Sequence, residues 1–260
     1  MEYETITISQ KNDTCVVTLN RPAVHNAMNE HVIKELIDCF QKLSTNTSVR
    51  TIILTGNGPS FCAGADLTWM KGIVTYSKQQ NKKDSQLILD LYETIFTCPK
   101  PVIGRINGNA FGGGIGLLAV CDITFAVPDA QFAFSEVKLG IIPAVISSFV
   151  SLRLQPADMQ RLFLTGERFT SAYAHEIGLI DFVVPPEELD QKVDVYVKIL
   201  RSSGPLAIQE IKNLIRTQHH MDLDAYKKFT VEKITELRMS PEGEEGITAF
   251  LEKRKPRWSE

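Results

Sequence analysis

Two kinds of hydrophobic pattern alternate along the first 185 residues of the chain. Short runs of apolar and β-branched residues predict strands, at 14–19, 50–55, 100–106, 123–127 and 130–134. Between these runs, apolar positions recur on one helical face at 30–43, where Asn29 is the expected N-cap, and at 87–97. Strands that alternate with crossover helices predict an α/β fold.

The rest of the chain follows other patterns. Residues 67–84 are polar and rich in lysine towards their end, which predicts a helical lid followed by a mobile loop. Beyond residue 186 the pattern is helical throughout, with predicted helices at 187–202, 205–218, 223–239 and 244–253. We therefore predict a core over 1–200 and a helical region over 201–260, which packs on a neighbouring subunit or back on the core.

The composition narrows the classes of function. With 28 Lys and Arg against 31 Asp and Glu, the chain has a net charge of −3, which argues against general nucleic-acid binding. No apolar run approaches the roughly 20 residues that a membrane-spanning helix needs. The five cysteines form no Cys-x-x-Cys pair and no cluster with histidine. We therefore expect reduced thiols, no metal site and a soluble cytoplasmic protein.

Three consecutive glycines within residues 110–122, Ala-Phe-Gly-Gly-Gly-Ile-Gly-Leu-Leu-Ala-Val-Cys-Asp, directly precede an apolar helical pattern. Such a run leaves backbone N–H groups uncovered where a negative charge can be received. The spacing does not fit a dinucleotide-binding loop, because Leu117 stands where a glycine is required. A second tight segment at 61–66, Phe-Cys-Ala-Gly-Ala-Asp, offers an opposing N–H. Together the two segments predict an oxyanion hole for a thioester.

In order and spacing, five stretches resemble the crotonase (enoyl-CoA hydratase/isomerase) superfamily over essentially the whole chain: 20–27, 61–66, 100–108, 111–122 and 132–143. Segments 64–70 and 143–148 are similar to those of methylglutaconyl-CoA and geranoyl-type hydratases of branched acyl-CoA breakdown. The resemblance implies a spiral of ββα units with a C-terminal helical trimerisation region, assembled as a homotrimer or as a hexamer of two trimers. It also implies an acyl-CoA thioester substrate and no cofactor, since coenzyme A is part of the substrate.

The resemblance also implies which residues bind the substrate. The two backbone N–H groups that receive the thioester oxygen fall on Ala65 and Gly113. Contacts with the adenine and pantetheine parts of coenzyme A fall on Val24, Asn26, Ala27, Ala63, Asp66 and Leu67. Lys253 and Lys255 resemble basic residues that meet the coenzyme A phosphates, often across a subunit boundary; a solvated helix end explains these two lysines equally well.

The remaining question is which residues act as the acid and the base of the reaction. Hydration of a 2-enoyl thioester needs water activated at C3 and a proton delivered to C2, and a glutamate of raised pKa suits both steps. Hydratases of the family carry two such glutamates; the second corresponds to Glu136, whereas Gly116 occupies the position of the first. We expect an enoyl-CoA hydratase-like lyase that uses Glu136, with Ser147 or Ser148 as candidate helpers. Two alternatives stay open: a Δ3–Δ2 enoyl-CoA isomerase that needs one glutamate, and a non-catalytic acyl-CoA-binding protein.

Overall fold

The computed structural model of the chain describes residues 2–218 and 220–259, which form a six-stranded sheet, a four-stranded sheet and surrounding helices. The strands are β1 (Ile6–Lys11), β2 (Thr14–Leu19), β3 (Thr51–Gly56), β4 (Ser60–Cys62), β5 (Val102–Ile106), β6 (Asn109–Phe111), β7 (Ile123–Ala126), β8 (Gln131–Ala133), β9 (Phe169–Thr170) and β10 (Phe182–Val183). The helices are α1 (Glu30–Thr45), α2 (Leu67–Ile73), α3 (Lys78–Phe96), α4 (Gly113–Ala119), α5 (Ala144–Val150), α6 (Pro156–Thr165), α7 (Ser171–Glu176), α8 (Pro186–Arg201), α9 (Pro205–Gln218), α10 (Leu223–Arg238) and α11 (Pro241–Leu251).

The larger sheet has the order β1-β2-β3-β5-β7-β10. The strands β1 and β2 pair antiparallel, and every other neighbouring pair in this sheet is parallel. All six residues of β3 are buried, as expected for a central parallel strand that is covered on both faces. Helices α1 and α3 pack against each other, and α8 contacts β3, β5 and β7. The predicted α/β class and the five predicted strands are confirmed.

The prediction for helix α1 is confirmed at its first turn. Asn29 is the N-cap, and its side-chain oxygen accepts a hydrogen bond from the Val32 N–H at 3.1 Å. One face of α1 is buried, as its spacing of apolar residues requires; this face comprises Val32, Ile33, Leu36, Cys39, Phe40 and Leu43. The N-cap and the apolar stripe therefore act together to fix where the helix begins and which way it faces.

The prediction of a mobile loop after the helical lid is wrong. The predicted helix is α2, but residues 78–84 form the first turns of α3. A capping box starts this helix: the Ser77 hydroxyl accepts from the Gln80 N–H at 3.3 Å, and the Gln80 side chain accepts from the Ser77 N–H at 2.8 Å. Lysine, glutamine and asparagine are compatible with an exposed helical turn, so their polarity did not indicate a loop.

The smaller sheet, β4-β6-β8-β9, organises the two segments that the sequence singled out. Strands β4, β6 and β8 pair in parallel, and β9 joins them antiparallel. The segment after β4 begins at Ala63, and the segment after β6 begins at Gly112. Because the ends of parallel strands meet at the same edge of a sheet, these segments emerge side by side.

The C-terminal helices pack back on the rest of the chain. The Lys212 ammonium of α9 lies 2.5 Å from a carboxylate oxygen of Asp122, which follows α4. The Arg50 guanidinium donates to the Ser203 and Trp258 carbonyls, both at 2.6 Å. The four predicted C-terminal helices are confirmed, and the division of the chain near residue 200 stays a prediction.

Two further sequence expectations concern chemistry rather than topology. All five cysteines are buried and are not in disulfides. Across residues 2–218 and 220–259, helices that combine the length and the apolar content needed for a bilayer are absent. The expected cytoplasmic location stays a prediction.

Candidate active site

The two glycine-containing segments touch each other at Gly64. A Cβ atom on Gly64 would lie 2.7 Å from the Phe111 carbonyl oxygen and 3.5 Å from the Gly113 nitrogen. The φ of Gly64 is also +88°, a conformation that other residues adopt only with strain. Both the close contact and the positive φ therefore require glycine at position 64. Because glycine has no side chain, the backbone next to Ala65 can approach the start of α4.

The N–H groups of Ala65 and Gly113 are both available to a ligand. The Met28 N–H donates to the Gly64 carbonyl at 2.7 Å, and the Asp66 N–H donates to the Met28 carbonyl at 2.8 Å. Since successive peptide units of an extended chain point to opposite sides, the Ala65 N–H points away from Met28. Within the described part of the chain, neither the Ala65 N–H nor the Gly113 N–H donates a hydrogen bond to another residue.

The Glu136 carboxylate lies against the same glycine turn. Gly112 has a φ of +47°, and its N–H donates to the Ala133 carbonyl at 2.9 Å. A Cβ atom on Gly112 would lie 3.0 Å from the Glu136 Oε1. The carboxylate is thus packed on the residue that directly precedes Gly113, one of the two predicted oxyanion donors.

The surroundings of Glu136 favour its protonated form. It lies in a 3₁₀ helix, Ser135–Leu139, that follows β8. Its Oε2 is buried and has no hydrogen-bond partner among the described residues. Burial therefore raises the pKa of Glu136 above 4.5, because an ionised carboxylate loses hydration there without full compensation. A carboxyl group with a raised pKa is suited to take up a proton and to release it again.

The space beside Gly116 is already filled. A Cβ atom on Gly116 would lie 2.5 Å from the Ile146 Cγ2 and 2.6 Å from the Tyr92 Cζ. Tyr92 is fully buried, and its hydroxyl donates to the Gly113 carbonyl at 2.9 Å. The aromatic ring occupies the place into which a side chain at position 116 would project. Glu136 is consequently the carboxylate that the described structure brings to this turn.

The residues expected to contact coenzyme A lie on two segments that hydrogen-bond to each other. The Ala63 N–H donates to the His25 carbonyl at 3.0 Å, which joins the segment 24–27 to the segment 63–67. Val24 is 42% exposed and Leu67 is 75% exposed, whereas Asn26, Ala27 and Asp66 are buried. The structure therefore brings together the six predicted residues: Val24, Asn26, Ala27, Ala63, Asp66 and Leu67.

Two of these six side chains form hydrogen bonds with other residues of the protein. The Asn26 amide accepts from the Arg21 N–H at 2.9 Å and donates to the Ser60 carbonyl at 2.8 Å. Asp66 caps α2 by accepting from the Thr68 N–H at 2.8 Å, and it pairs with the Arg21 guanidinium at 2.9 Å. These hydrogen bonds lower the pKa of Asp66 in spite of its burial. Both side chains therefore stabilise the two segments, and their polar atoms are already hydrogen-bonded within the protein.

Other candidates lie apart from the turn or are occupied locally. Lys253 and Lys255 are exposed beyond the end of α11. Between them, Arg254 pairs with Glu245 at 2.7 Å, so the segment is tied to α11. The Ser147 hydroxyl donates to the Ala144 carbonyl at 2.6 Å, within its own helix. These contacts do not connect the two lysines or Ser147 to Glu136.

Comparisons with known proteins show which family this chain is similar to. The sequence model of a family described as enoyl-CoA hydratase/isomerase matches residues 9–260. The chain is 32% identical to a crotonyl-CoA hydratase of Syntrophomonas wolfei, with 98% of each chain covered. It is 31% identical to a 2,3-dehydroadipyl-CoA hydratase of Escherichia coli, with 96% of each chain covered.

A solved structure supports the same relationship. An enoyl-CoA hydratase from Shewanella pealeana superposes with a TM-score of 0.95 at 33% identity, covering 99% of this chain and 97% of the other. The predicted crotonase-like spiral with a C-terminal helical region is thereby confirmed.

Proposed function

The chain belongs to the enoyl-CoA hydratase/isomerase family, and we propose that it adds water to 2-enoyl-CoA thioesters. The observation that carries this proposal is the buried Glu136 carboxylate, which packs on Gly112 beside the available Gly113 N–H. A desolvated carboxylate next to donors for an oxyanion can exchange protons where an enolate develops.

The two amides act on the thioester oxygen. The N–H groups of Ala65 and Gly113 donate to this oxygen, whose negative charge grows as the enolate forms. They therefore stabilise the transition state more than the bound substrate. Removal of one such donor typically costs about 3 kcal/mol of barrier. Backbone donors suit this role because the fold holds them in place before the substrate arrives.

Glu136 handles the proton in both half-steps. The ionised carboxylate takes a proton from water while the water oxygen bonds to C3, and the C2–C3 π electrons move towards the thioester oxygen. The enolate then returns its electron pair to C2, which takes the same proton from Glu136. The net change is addition of H and OH across the double bond, and the carboxylate is regenerated without a cofactor.

The filled space beside Gly116 favours a second candidate, Δ3–Δ2 enoyl-CoA isomerisation. In this reaction Glu136 removes a proton from C2 of a 3-enoyl thioester. The double bond moves into conjugation as the same carboxylate returns the proton to C4. The oxyanion hole serves both reactions equally, since each passes through an enolate. One carboxylate suffices for isomerisation, whereas family hydratases resembling this chain carry two.

Product analysis separates these functions. The purified protein is incubated separately with 2-enoyl-CoA and 3-enoyl-CoA thioesters, and products are followed by mass and ultraviolet absorbance. Hydration is expected to add the mass of one water and to remove the absorbance of the conjugated thioester. Conversion of the 3-enoyl substrate to a conjugated product of the same mass would identify an isomerase. Tight binding without turnover of any substrate would leave only an acyl-CoA-binding function.

The same assay identifies the acyl group. Branched and carboxylated thioesters, such as methylglutaconyl-CoA, belong in the substrate panel because segments 64–70 and 143–148 resemble hydratases of that kind. The relative from Escherichia coli, named for a dehydroadipyl substrate, supports the carboxylated members. We expect turnover to be fastest with a branched substrate; a clear preference for straight-chain thioesters would contradict this part of the proposal.

Assembly into a homotrimer, or a hexamer of two trimers, is part of the proposed function. Large apolar side chains on the C-terminal helices are exposed in the single chain: Ile211, Ile215, Ile247, Phe250 and Leu251. Exposed apolar surface of this kind favours association with another chain. We expect sedimentation to give three or six times the chain mass of 29.1 kDa. A monomer at micromolar concentration would contradict the proposed assembly.

A further inference from the structure

Tyr92 is a buried ionisable group that the proposed mechanism does not use. It lies on α3 and is fully buried. Its hydroxyl donates to the Gly113 carbonyl at 2.9 Å across a separation of 21 residues in sequence. Burial raises the pKa of Tyr92 well above its usual range, so the hydroxyl keeps its proton and remains a donor.

The ring of Tyr92 is held firmly where its hydroxyl meets the glycine turn. It packs against Phe149 of α5, with 5.8 Å between ring centroids. It also lies directly over Gly116, whose Cβ position is 2.6 Å from the Tyr92 Cζ. These contacts restrict the movement of the ring, whose hydroxyl is directed at the Gly113 carbonyl.

Gly113 is closely packed by Met28 and Tyr92. A Cβ atom on Gly113 would lie 2.8 Å from the Met28 Cε and 3.0 Å from the Tyr92 Oη. The preceding residue, Gly112, is anchored by the hydrogen bond from its N–H to the Ala133 carbonyl at 2.9 Å. The peptide unit that carries the Gly113 N–H is held at its own carbonyl, since the Gly112 oxygen accepts from the Ile115 N–H at 2.9 Å. The peptide units on either side of it are anchored at Ala133 and at Tyr92.

We propose that Tyr92 is a positioning residue, which sets the direction of the Gly113 N–H by holding the Gly113 carbonyl. The inference rests on the proposed function, because it assigns that N–H to the oxyanion hole. Residues 112–114 are all glycine, so side-chain packing cannot hold this part of the backbone in place. An oxyanion donor contributes fully only when its direction is fixed before the charge develops. The hydrogen bond from the Ile115 N–H to the Gly112 carbonyl fixes one side of this peptide unit, and Tyr92 adds the restraint on the other side from a neighbouring helix.

The test variant is Tyr92→Phe, which keeps the ring over Gly116 and removes only the hydroxyl. We expect kcat to fall about 10-fold with KM nearly unchanged, a fraction of the 10²–10³-fold loss that follows complete removal of an oxyanion donor. The matched control is Tyr226→Phe. Tyr226 also donates to a backbone carbonyl, that of Leu214, at 3.2 Å within the C-terminal helices. The control is expected to retain the wild-type kcat.

A spectroscopic measurement distinguishes positioning from a merely structural role. A saturated acyl-CoA with an isotope-labelled thioester carbonyl is bound to each protein, and the infrared band of that carbonyl is recorded. Hydrogen bonds from the oxyanion hole move this band to lower frequency in the wild type. We expect a smaller displacement in Tyr92→Phe and the full displacement in Tyr226→Phe.

The outcomes separate the two proposals. A wild-type band that does not move on binding would overturn the oxyanion hole, and the role of Tyr92 with it. A full wild-type displacement that Tyr92→Phe retains, with unchanged kcat, would overturn the role of Tyr92 alone. If Tyr92→Phe lowers the melting temperature but leaves the band and kcat as in the wild type, Tyr92 is only structural, which also contradicts the proposal.

Discussion

Replacement of Glu136 by glutamine is expected to lower kcat by about 10²–10⁴-fold, because the amide can neither accept the proton from water nor deliver it to the enolate. Glutamine has nearly the same shape as glutamate, so packing against Gly112 is retained. The affinity for a saturated acyl-CoA is expected to stay close to that of the wild type. Steady-state kinetics and a direct binding measurement on the same preparation check both parts.

The pH dependence provides a second signature of Glu136. Hydration needs the ionised carboxylate, so the rate rises as pH rises through the pKa of this group. Burial raises that pKa, and the acid limb is therefore expected above pH 4.5, the usual value for glutamate. The residual activity of Glu136→Gln should lack this limb. An acid limb centred at or below pH 4.5 would contradict the assignment of Glu136 as the base.

Stability should depend on pH in the opposite sense. Because the pKa of Glu136 is raised in the folded state, its contribution to stability is fully present below pH 4.5 and is lost as pH rises through the folded-state pKa. The neutral variant does not undergo this loss. Glu136→Gln is thus expected to gain stability relative to the wild type as pH rises towards 7, as measured by denaturant unfolding.

The matched control for Glu136 is Glu176→Gln. Glu176 is exposed on α7, and the change removes the same charge from the chain. We expect wild-type kcat from this control. Unchanged turnover in Glu136→Gln, with the control behaving as expected, would remove Glu136 from the mechanism.

The sequence was informative where local signals and tertiary packing agree. The helix that begins after Asn29 combines an N-cap with an apolar stripe, and the structure contains both. The two glycine-containing segments were recognisable as a pair because small residues leave backbone uncovered. Each segment alone has the sequence of an ordinary turn. Contact between the two segments at Gly64 could therefore be predicted only when both were considered together.

What the sequence did not indicate depends on contacts between distant segments. Tyr92 lies in a helical pattern beside Leu91 and Ile95, where a tyrosine is simply one more core residue. Its position over Gly116 follows from how α3 packs on α4 and α5, which no local spacing encodes. The strands β4 and β6 have three residues each and are too short for an alternating pattern to be recognised.

Replacement of Gly116 by glutamate, which restores the missing carboxylate of the family pattern, is expected to destabilise the protein by more than about 4 kcal/mol. A Cβ atom at this position would lie 2.5 Å from the Ile146 Cγ2 and 2.6 Å from the Tyr92 Cζ, both in the core. The added carboxylate would also be buried without a partner. We expect no gain in hydration rate, and unfolding in urea measures the loss of stability. A folded Gly116→Glu protein with faster hydration would contradict this interpretation.

Two alanine substitutions isolate the steric part of this effect. Gly116→Ala should cost about 1–3 kcal/mol through overpacking. Gly72→Ala on α2 meets only the Tyr76 Oη at 3.9 Å and is the matched control. This control is expected to be neutral or to stabilise by up to about 1 kcal/mol, because alanine is the better helix former.

The double variant Tyr92→Ala with Gly116→Glu tests which neighbour excludes a side chain at position 116. Tyr92→Ala alone should cost about 3–5 kcal/mol through the cavity that it leaves. In the double variant the glutamate can enter that cavity, so the combined loss is expected to fall short of the sum by at least about 1 kcal/mol. If the losses of stability are strictly additive, the Tyr92 ring is not the group that excludes a side chain from position 116. A coupling of the expected sign would explain physically why position 116 carries no carboxylate in this chain.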